Sequence, residues 1–405
     1  MELDDLQTRL IEQVAKENGF DEYEIDLQAA VQKGDNFMGK LLRLKIKNAS
    51  KTLPMILKIA STNALQRKMQ QARTAFLREI YLYDTVFEEF RAFEDQHRIS
   101  QPFRSHPKFF AECTDELSEM LVLEDMKEKH FRMCDKKLTM NSEHIVAVLE
   151  EYAKFHATSL AMRAKNRAKF DHLTAHLTDV FAENMNQTGP EMTHFVKLLF
   201  EQLIKSVEGH AEAIEMLEKF EKHALDGGAF KEQFPEGNIV VTHGDCWCNN
   251  LLFKYENDEA KTPSNVCIID WQLSKLGSPG VDLNYFLLAN APPEVLDDYE
   301  TYLRIYYDVL ERKLAEFGCD PQEVFTFDEL LDHFHRLGPK MLFMCTMVMR
   351  IALSEPDEAP DFANDFEDEK DFAKMIDKDI NSMDEFYRRL GCIVRFVAGN
   401  NSKIV

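Results

Sequence analysis

Three side chains that could ligate a hard cation or accept a proton lie close together in the chain. Asp245 and Asn250 belong to the run His243-Gly244-Asp245-Cys246-Trp247-Cys248-Asn249-Asn250, and Asp270 to Ile268-Ile269-Asp270-Trp271-Gln272. A carboxylate can orient and deprotonate a hydroxyl, and an amide oxygen with a second carboxylate suits Mg²⁺, which takes oxygen ligands. Phosphoryl transfer asks little more of a protein: an acceptor aimed in line and stabilisation of the charge on the phosphate oxygens. The spacing supports this chemistry, because one tight loop can present Asp245 and Asn250 to a single point while a hairpin returns the chain to Asp270. Asp245 is therefore the candidate base, and Asn250 and Asp270 are the candidate metal ligands. His-Gly-Asp and Asn-Asn are also ordinary turn chemistry; the downstream Ile-Ile-Asp weighs against that reading.

The same arrangement resembles the protein-kinase catalytic loop H-R-D-x-x-x-x-N and its metal-binding D-F-G, with Gly244 in place of Arg, a variant typical of aminoglycoside and choline kinases. Such a site needs a strand lysine to pair with ATP phosphates and a helix carboxylate to hold that lysine. Lys58, in Met55-Ile-Leu-Lys-Ile-Ala60, and Glu79, in Phe76-Leu-Arg-Glu-Ile-Tyr81, answer that need. A lone strand lysine is usually solvent-facing, but the order strand, helix, loop, metal strand favours function here. Gly34 and Gly39 bracket a turn between two predicted strands, where backbone amides could cover the phosphates. The turn also touches the Walker pattern through Lys40, but Leu41 stands where that pattern requires a hydroxyl, and a strand follows instead of a helix. Leu121-Val-Leu-Glu124-Asp125 matches a linker strand whose backbone would bond the adenine edge, making Glu124 a candidate ATP contact, although a plain buried strand reads the same way. Gly277-Ser-Pro-Gly-Val-Asp282 resembles the segment that braces the catalytic loop, so Asp282, like His243, is expected to support the site structurally.

The elements that must position these groups follow from hydrophobic period. Residues 2–19 have helical spacing and end at Asn18-Gly19. Residues 23–59 alternate as three strands of an antiparallel meander. From Asn63 to about Phe93 the period is helical again, with Phe76, Ile80, Tyr83 and Phe87 on one face. A polar loop then precedes a strand at Met120–Met126. Beyond Ser142 the chain reads as long amphipathic helices, interrupted only by strand runs at 238–245 and at 250–255 with 265–271, the last two forming a hairpin. The expected fold is α+β and bilobal, protein-kinase-like: residues 1–125 carry the small antiparallel sheet and the lysine-pairing helix, and residues 126–405 carry the catalytic loop, the metal strand and a mainly helical acceptor region.

A formal charge of −23 argues against binding nucleic acid or an anionic membrane. It also implies Mg²⁺, because the field of the whole molecule repels a polyanion such as ATP unless cations are concentrated locally. The start of the sequence lacks the apolar core of a signal peptide, and the longest apolar run, Met341–Leu353, contains Arg350 and suits a buried helix. The eight cysteines are scattered; Cys246 and Cys248 have no second ligand pair at zinc spacing. Reduced thiols, a cytoplasmic location and a monomer are expected. The acidic run Glu355–Glu369 reads as a solvated loop or helix face.

Taken together, Gly34 to Gly39, Lys58, Glu79, Leu123-Glu-Asp125, His243 to Asn250 with Phe253, and Ile269-Asp270-Trp-Gln272 resemble the insect ecdysteroid-kinase-like family, also called the choline-kinase-like CHK group. Trp247 favours this family over bacterial aminoglycoside kinases. Trp271 stands where many relatives carry Phe, a swap that keeps an aromatic plug. The resemblance implies ATP-dependent phosphorylation of a hydroxyl on a steroid such as an ecdysteroid, or on a xenobiotic. Two alternatives stay open: a choline- or aminoglycoside-type kinase with a cationic acceptor, and a catalytically silent kinase-fold binding module. The 30 Phe and 18 Met residues could line an apolar acceptor pocket, though at helical spacing such residues are mostly core.

Overall fold

Asp4 accepts hydrogen bonds from the backbone N–H groups of Leu6 and Gln7 at 2.9 and 2.8 Å, and the Gln7 side chain accepts one from the Asp4 N–H at 3.2 Å. This capping box opens helix α1 (Asp5–Glu17). The computed structural model describes residues 2–29, 39–69, 71–179, 190–226, 234–235, 238–257, 260–358, 373, 376 and 378–401.

After α1 come β1 (Glu24–Ala29), β2 (Gly39–Lys47) and β3 (Thr52–Ala60), joined later by β4 (Phe109–Cys113) and β5 (Met120–Glu124) in one antiparallel sheet of order β1-β2-β3-β5-β4. Side chains alternate across a strand. Met55 and Leu57 of β3 therefore join Leu42, Leu44, Ile46 and Val122 under α1. Lys58 and Ala60 point to the other face, where Phe76 and Ile80 of the following helix are buried. The period-2 pattern thus puts Lys58 on the face opposite Met55 and Leu57, and the packing of the following helix on that face buries it.

The helical stretch expected at 63–93 exists in three parts: α2 (Ala64–Met69), α3 (Ala72–Tyr81) and α4 (Phe87–His97), the last two joined by a π-helical turn at Leu82–Val86. Gln71, at φ 46°, separates α2 from α3. The π turn inserts one residue into the helical register, which keeps Tyr83, Val86, Phe87 and Phe90 buried together.

The expected polar loop before β5 contains a strand, β4. Its sequence, FFAEC, has no clean alternation; it forms by adding to β5, with a register shift between Phe109 and Ala111. The remaining strands are short. β6 (Phe131–Met133), β8 (Leu251–Lys254) and β9 (Asn265–Ile268) make a three-stranded sheet in the order β6-β8-β9, and β7 (Val240–Thr242) pairs with β10 (Lys275–Gly277). The expected hairpin is β8–β9, with Leu251 opposite Ile268. β6 and β10, three residues each, are too short to show a period and arise from pairing alone.

The rest is helical: α5 (Ser142–Lys165), α6 (Arg167–Thr174), α7 (Pro190–Ser206), α8 (Ala211–Leu225), α9 (Pro279–Asn290), α10 (Pro293–Asp297), α11 (Tyr299–Glu316), α12 (Pro321–Val324), α13 (Phe327–Leu353) and α14 (Met383–Asn401). The cap of α5 is Asn141, whose side chain accepts from the His144 N–H at 3.1 Å, one residue ahead of the Ser142 start read from the sequence. Met341–Leu353 forms the second half of α13. Among the described residues no helix is long and apolar enough to cross a membrane. Of the acidic run, Glu355–Glu358 belong to a turn in which Lys137 reaches Glu355 at 2.5 Å; 359–369 lie outside the described residues.

Helix α5 is the axis of the helical part. Val148, Leu149, Tyr152, Phe155 and Met162 on it are fully buried. Phe155 meets Phe103, Trp271 and Phe90 at centroid distances of 5.1, 5.0 and 5.8 Å. Replacing it by Ala removes a ring from a closed cluster, so Phe155→Ala is expected to cost about 3–5 kcal/mol, read as a lower urea midpoint with unchanged helical circular dichroism before the transition. A loss below about 1 kcal/mol would show that the cluster is not part of the cooperative core.

Candidate active site

The loop between β7 and β8 is shaped by one glycine and held by one carboxylate. Gly244 has φ +83°, and a Cβ there would stand 2.4 Å from the Leu273 carbonyl oxygen, so no other residue fits without moving backbone. The Asp282 carboxylate, in the first turn of α9, accepts the N–H groups of His243 and Gly244 at 2.7 and 2.9 Å. It is also met by His156 Nε2 from α5 at 3.1 Å. Burial alone would raise the Asp282 carboxyl, but the His156 contact, with the His243 side chain and N–H, outweighs burial and holds it below the usual carboxylate range.

His243 is fully buried, and burial pushes its imidazole down, favouring the neutral ring. Nδ1 accepts the Asp245 N–H at 3.2 Å, so Nε2 carries the proton and donates to the Ile269 carbonyl at 3.0 Å. The ring therefore joins the Asp245 loop to the segment just before Asp270. The Ile269 N–H donates to the Asn250 carbonyl at 3.0 Å, a second tie between the same segments.

Asp245 is held through both oxygens: Tyr285 OH donates to Oδ1 at 2.9 Å and Asn250 Nδ2 to Oδ2 at 2.8 Å. Asn250 Nδ2 also reaches the Asp245 carbonyl at 2.9 Å, which turns the amide oxygen away from Asp245. Burial, then the nearby charge of Asp270, pushes the Asp245 carboxyl up to about 7 against these donors. Asp270 follows β9 with φ +66°, a left-handed conformation that Asp tolerates better than most residues. Trp271 behind it is a buried plug, meeting His243, Phe87 and Phe155 at 4.6, 4.8 and 5.0 Å and donating Nε1–H to the Ile268 carbonyl at 3.1 Å.

From the sheet, Lys58 Nζ donates to Glu79 Oε2 and Asp270 Oδ1, both at 2.6 Å, and to Gln272 Oε1 at 3.3 Å. Lys58 is only 5% exposed and Glu79 1%. Burial disfavours the ammonium, yet Asp270 and Glu79 together overcome it and raise Lys58 above its ordinary value. Burial raises Glu79, opposed by Lys58.

The structure therefore gathers Lys58, Glu79, Asp245, Asn250, Asp270, His243 and Asp282 into one linked constellation. Of the other candidates, the described two, Gly39 and Glu124, stand apart. Gly34 lies outside the described residues. Gly39 opens β2 opposite Ala60, and a Cβ there would stand 2.1 Å from the Ile59 carbonyl oxygen, so close strand packing already accounts for this glycine. Glu124 ends β5 with its N–H donated to the Lys108 carbonyl at 2.8 Å and its carboxylate paired with Lys129 at 2.8 Å. Any contact with a nucleotide would fall to its backbone carbonyl.

Sequence reasoning missed Tyr285, Gln272 and His156. Tyr285 lies three residues past Asp282 on the same helix, a spacing that puts both on one face, and Gln272 is two past Asp270. His156 lies on α5, far from Asp282 along the chain, with no local signal. The oxygen donors of Asn250 and Asp270 suit Mg²⁺, which is held by one or two carboxylates plus substrate phosphates. Among the described residues no group of three or more His, Cys, Asp or Glu is placed to hold a metal, and all eight cysteines are unpaired thiols.

No curated protein matches the sequence. Among solved structures, a spectinomycin phosphotransferase bound to ADP and spectinomycin aligns with 93% of this chain and 92% of its own at 11% identity and a TM-score of 0.42. The GDP complex of an aminoglycoside 2'-phosphotransferase aligns with 84% of this chain and 89% of its own at 10% identity and a TM-score of 0.42. A glucosamine kinase aligns with 84% and 80% at 11% identity and a TM-score of 0.37. At such scores family membership rests on sequence. The model of the ecdysteroid kinase-like family matches residues 33–319, a span that holds the whole constellation from Lys58 to Tyr285; the chain belongs to that family.

Proposed function

We propose that this protein transfers the γ-phosphoryl group of ATP to a hydroxyl of a small organic acceptor, with a steroid as the acceptor class to which the family's name points and a hydroxylated xenobiotic as the second candidate. The observation that carries the reading is the convergence of a lysine–glutamate pair from the sheet side on Asp270, itself tied through Ile269 to the Asp245–Asn250 loop. A buried ammonium, two carboxylates and an amide oxygen form the set that phosphoryl transfer uses.

In this reading Asp245 orients the acceptor hydroxyl and takes its proton as the oxygen bonds to the γ-phosphorus; the bond from that phosphorus to the β,γ-bridging oxygen breaks, and ADP leaves. Tyr285 and Asn250 fix the rotamer of Asp245, so the base is aimed before the acceptor arrives. Asn250 and Asp270 would hold Mg²⁺, which when bound neutralises charge on the phosphate oxygens. Lys58, oriented by Glu79, meets the phosphates. Its contact with Asp270 supports this reading, since a nucleotide phosphate would bring a further oxygen to the ammonium beside those of Glu79, Asp270 and Gln272. Gly244 and Asp282 set the loop's backbone and do no chemistry.

The silent-module alternative predicts that Asp245→Asn alters stability slightly and nothing else. The kinase reading predicts a fall in kcat of about two orders of magnitude or more, with nucleotide binding retained, measured as ADP release across a panel of steroids, phenolics and glycosides. Normal turnover in Asp245→Asn would remove Asp245 from the chemistry. Asp270→Ala is expected to abolish turnover together with the Mg²⁺-dependent part of nucleotide binding. Chelation of the wild-type protein should do the same, reversibly on adding Mg²⁺; turnover unaffected by exhaustive chelation would count decisively against a metal held by Asn250 and Asp270. Lys58→Met should raise KM for ATP and lower kcat, checked by steady-state kinetics; wild-type values for both would exclude contact with the phosphates.

A further inference from the structure

Three cross-strand rows run over the face of the sheet that carries Lys58. Leu41, Lys58 and Leu121 form the first, Arg43, Ile56 and Leu123 the second, and Lys45 with Pro54 the third, where Asp125 continues the chain of β5. At this third row the sheet is tied to the segment that leaves it. Arg43 Nε donates to Asp125 Oδ2 at 2.5 Å, and Lys45 pairs with Glu128 at 2.8 Å. Asp125 is 2% exposed; its other oxygen accepts the Lys127 N–H at 3.1 Å, and its own N–H donates to the Pro54 carbonyl at 3.2 Å.

The two ion pairs are not equivalent. Lys45 and Glu128 are partly exposed, and pairs of that kind contribute little. Arg43 and Asp125 have side chains 21% and 3% exposed, so removing Arg43 leaves a buried carboxylate without its counter-ion. A pair this costly to break fixes where the residues after β5 lie relative to β2.

Arg43 is not among the partners of Lys58, Glu79 and Asp270 and stands further along the same face. From Leu121, opposite Lys58, to Asp125 is four residues of nearly extended chain, about 13 Å at the rise of a strand. Between the two charged ends Leu41 and Ile56 are only half-buried, whereas Leu42, Leu44, Met55 and Leu57 on the opposite face of the same strands are fully buried. An ammonium at one end, an apolar strip in the middle and a fixed stretch of backbone at the other end match the outline of a nucleoside triphosphate, with its phosphates at Lys58 and its flat base against Ile56.

We infer that Arg43 is a positioning residue for the nucleotide, which through Asp125 holds the backbone after β5 against the sheet so that a base fits at that end of the face. It acts through Asp125 and meets no phosphate. The inference rests on the kinase reading above and deepens it, because it names the side chain that sets the base end of the site.

The test measures the affinity of the full-length protein for Mg·ATP and, separately, for Mg·tripolyphosphate by isothermal titration calorimetry, which needs no acceptor. Arg43→Gln should weaken Mg·ATP about tenfold, the loss expected when a hydrogen bond to a charged group is removed, and leave Mg·tripolyphosphate unchanged. Lys58→Met should weaken both. Arg43→Lys, which keeps a cation at this position, should recover most of the loss. Asp125→Asn keeps an oxygen for the Lys127 N–H and should match Arg43→Gln, with the double variant no weaker than either single one, because both changes break the same contact. Unchanged Mg·ATP affinity in Arg43→Gln overturns the inference and leaves the kinase reading standing. Equal losses for both ligands also overturn it, since Arg43 would then support the fold and not the base, as do additive losses in the double variant. Failure of the wild-type protein to bind Mg·ATP would sink the kinase reading and this inference with it.

Discussion

The ammonium of Lys58, held between Glu79 and Asp270, is the contact on which the candidate site depends. It joins a strand of the five-stranded sheet, the helix packed on that sheet and the segment leaving the β8–β9 hairpin. Opposite charges about 4 Å apart attract by about 4 kcal/mol at an effective dielectric of about 20, while removing an ion from water costs several kcal/mol. A lone buried Lys58–Glu79 pair would therefore roughly break even. The second carboxylate tips the balance, which is why Lys58 stays charged although burial opposes it. The same arrangement sets two carboxyl groups against one ammonium and places Asp245 within the field of Asp270.

Asp282 plays a comparable part for the loop. Its two oxygens take successive backbone N–H groups, so the direction of the chain at His243–Gly244 is set by a side chain from another helix. His156 reaches Asp282 from α5 and is itself bonded to Tyr306 OH at 2.9 Å, so the support runs from the helical core into the loop without water. Asn290 adds a bond from the end of α9 to the Cys246 carbonyl at 2.9 Å. Trp271 fills the space beneath, and the aromatic cluster around it ties the conformation of Asp270 to the packing of α4 and α5. The candidate groups thus sit on backbone held from several directions, which is what pre-organisation requires.

Charge is distributed to the same end. The protein as a whole is strongly acidic, yet Lys58 stands buried within the constellation. A buried cation of this kind sets the local field against that of the acidic surface, because fields inside a low-dielectric cleft are set by the nearest charges.

The chain alone placed the candidate groups on a loop, a strand and a helix and outlined much of the scaffold around them. The spacing Asp245 to Asn250 and the hairpin to Asp270 were legible because loop and hairpin geometry is local, and Lys58 could be placed on a strand because alternation is a period-2 property of neighbouring residues. Family membership was legible for the same reason, since its signature is a set of short runs. Tertiary structure decided what depends on residues far apart in sequence: that Lys58 turns inward to a second carboxylate, that Tyr285 and His156 complete the site, and that Gly39 is required by the approach of β2 to β3. It also decided the strands β4, β6 and β10, which are too short or too irregular to carry a period and exist only because a partner strand offers hydrogen bonds.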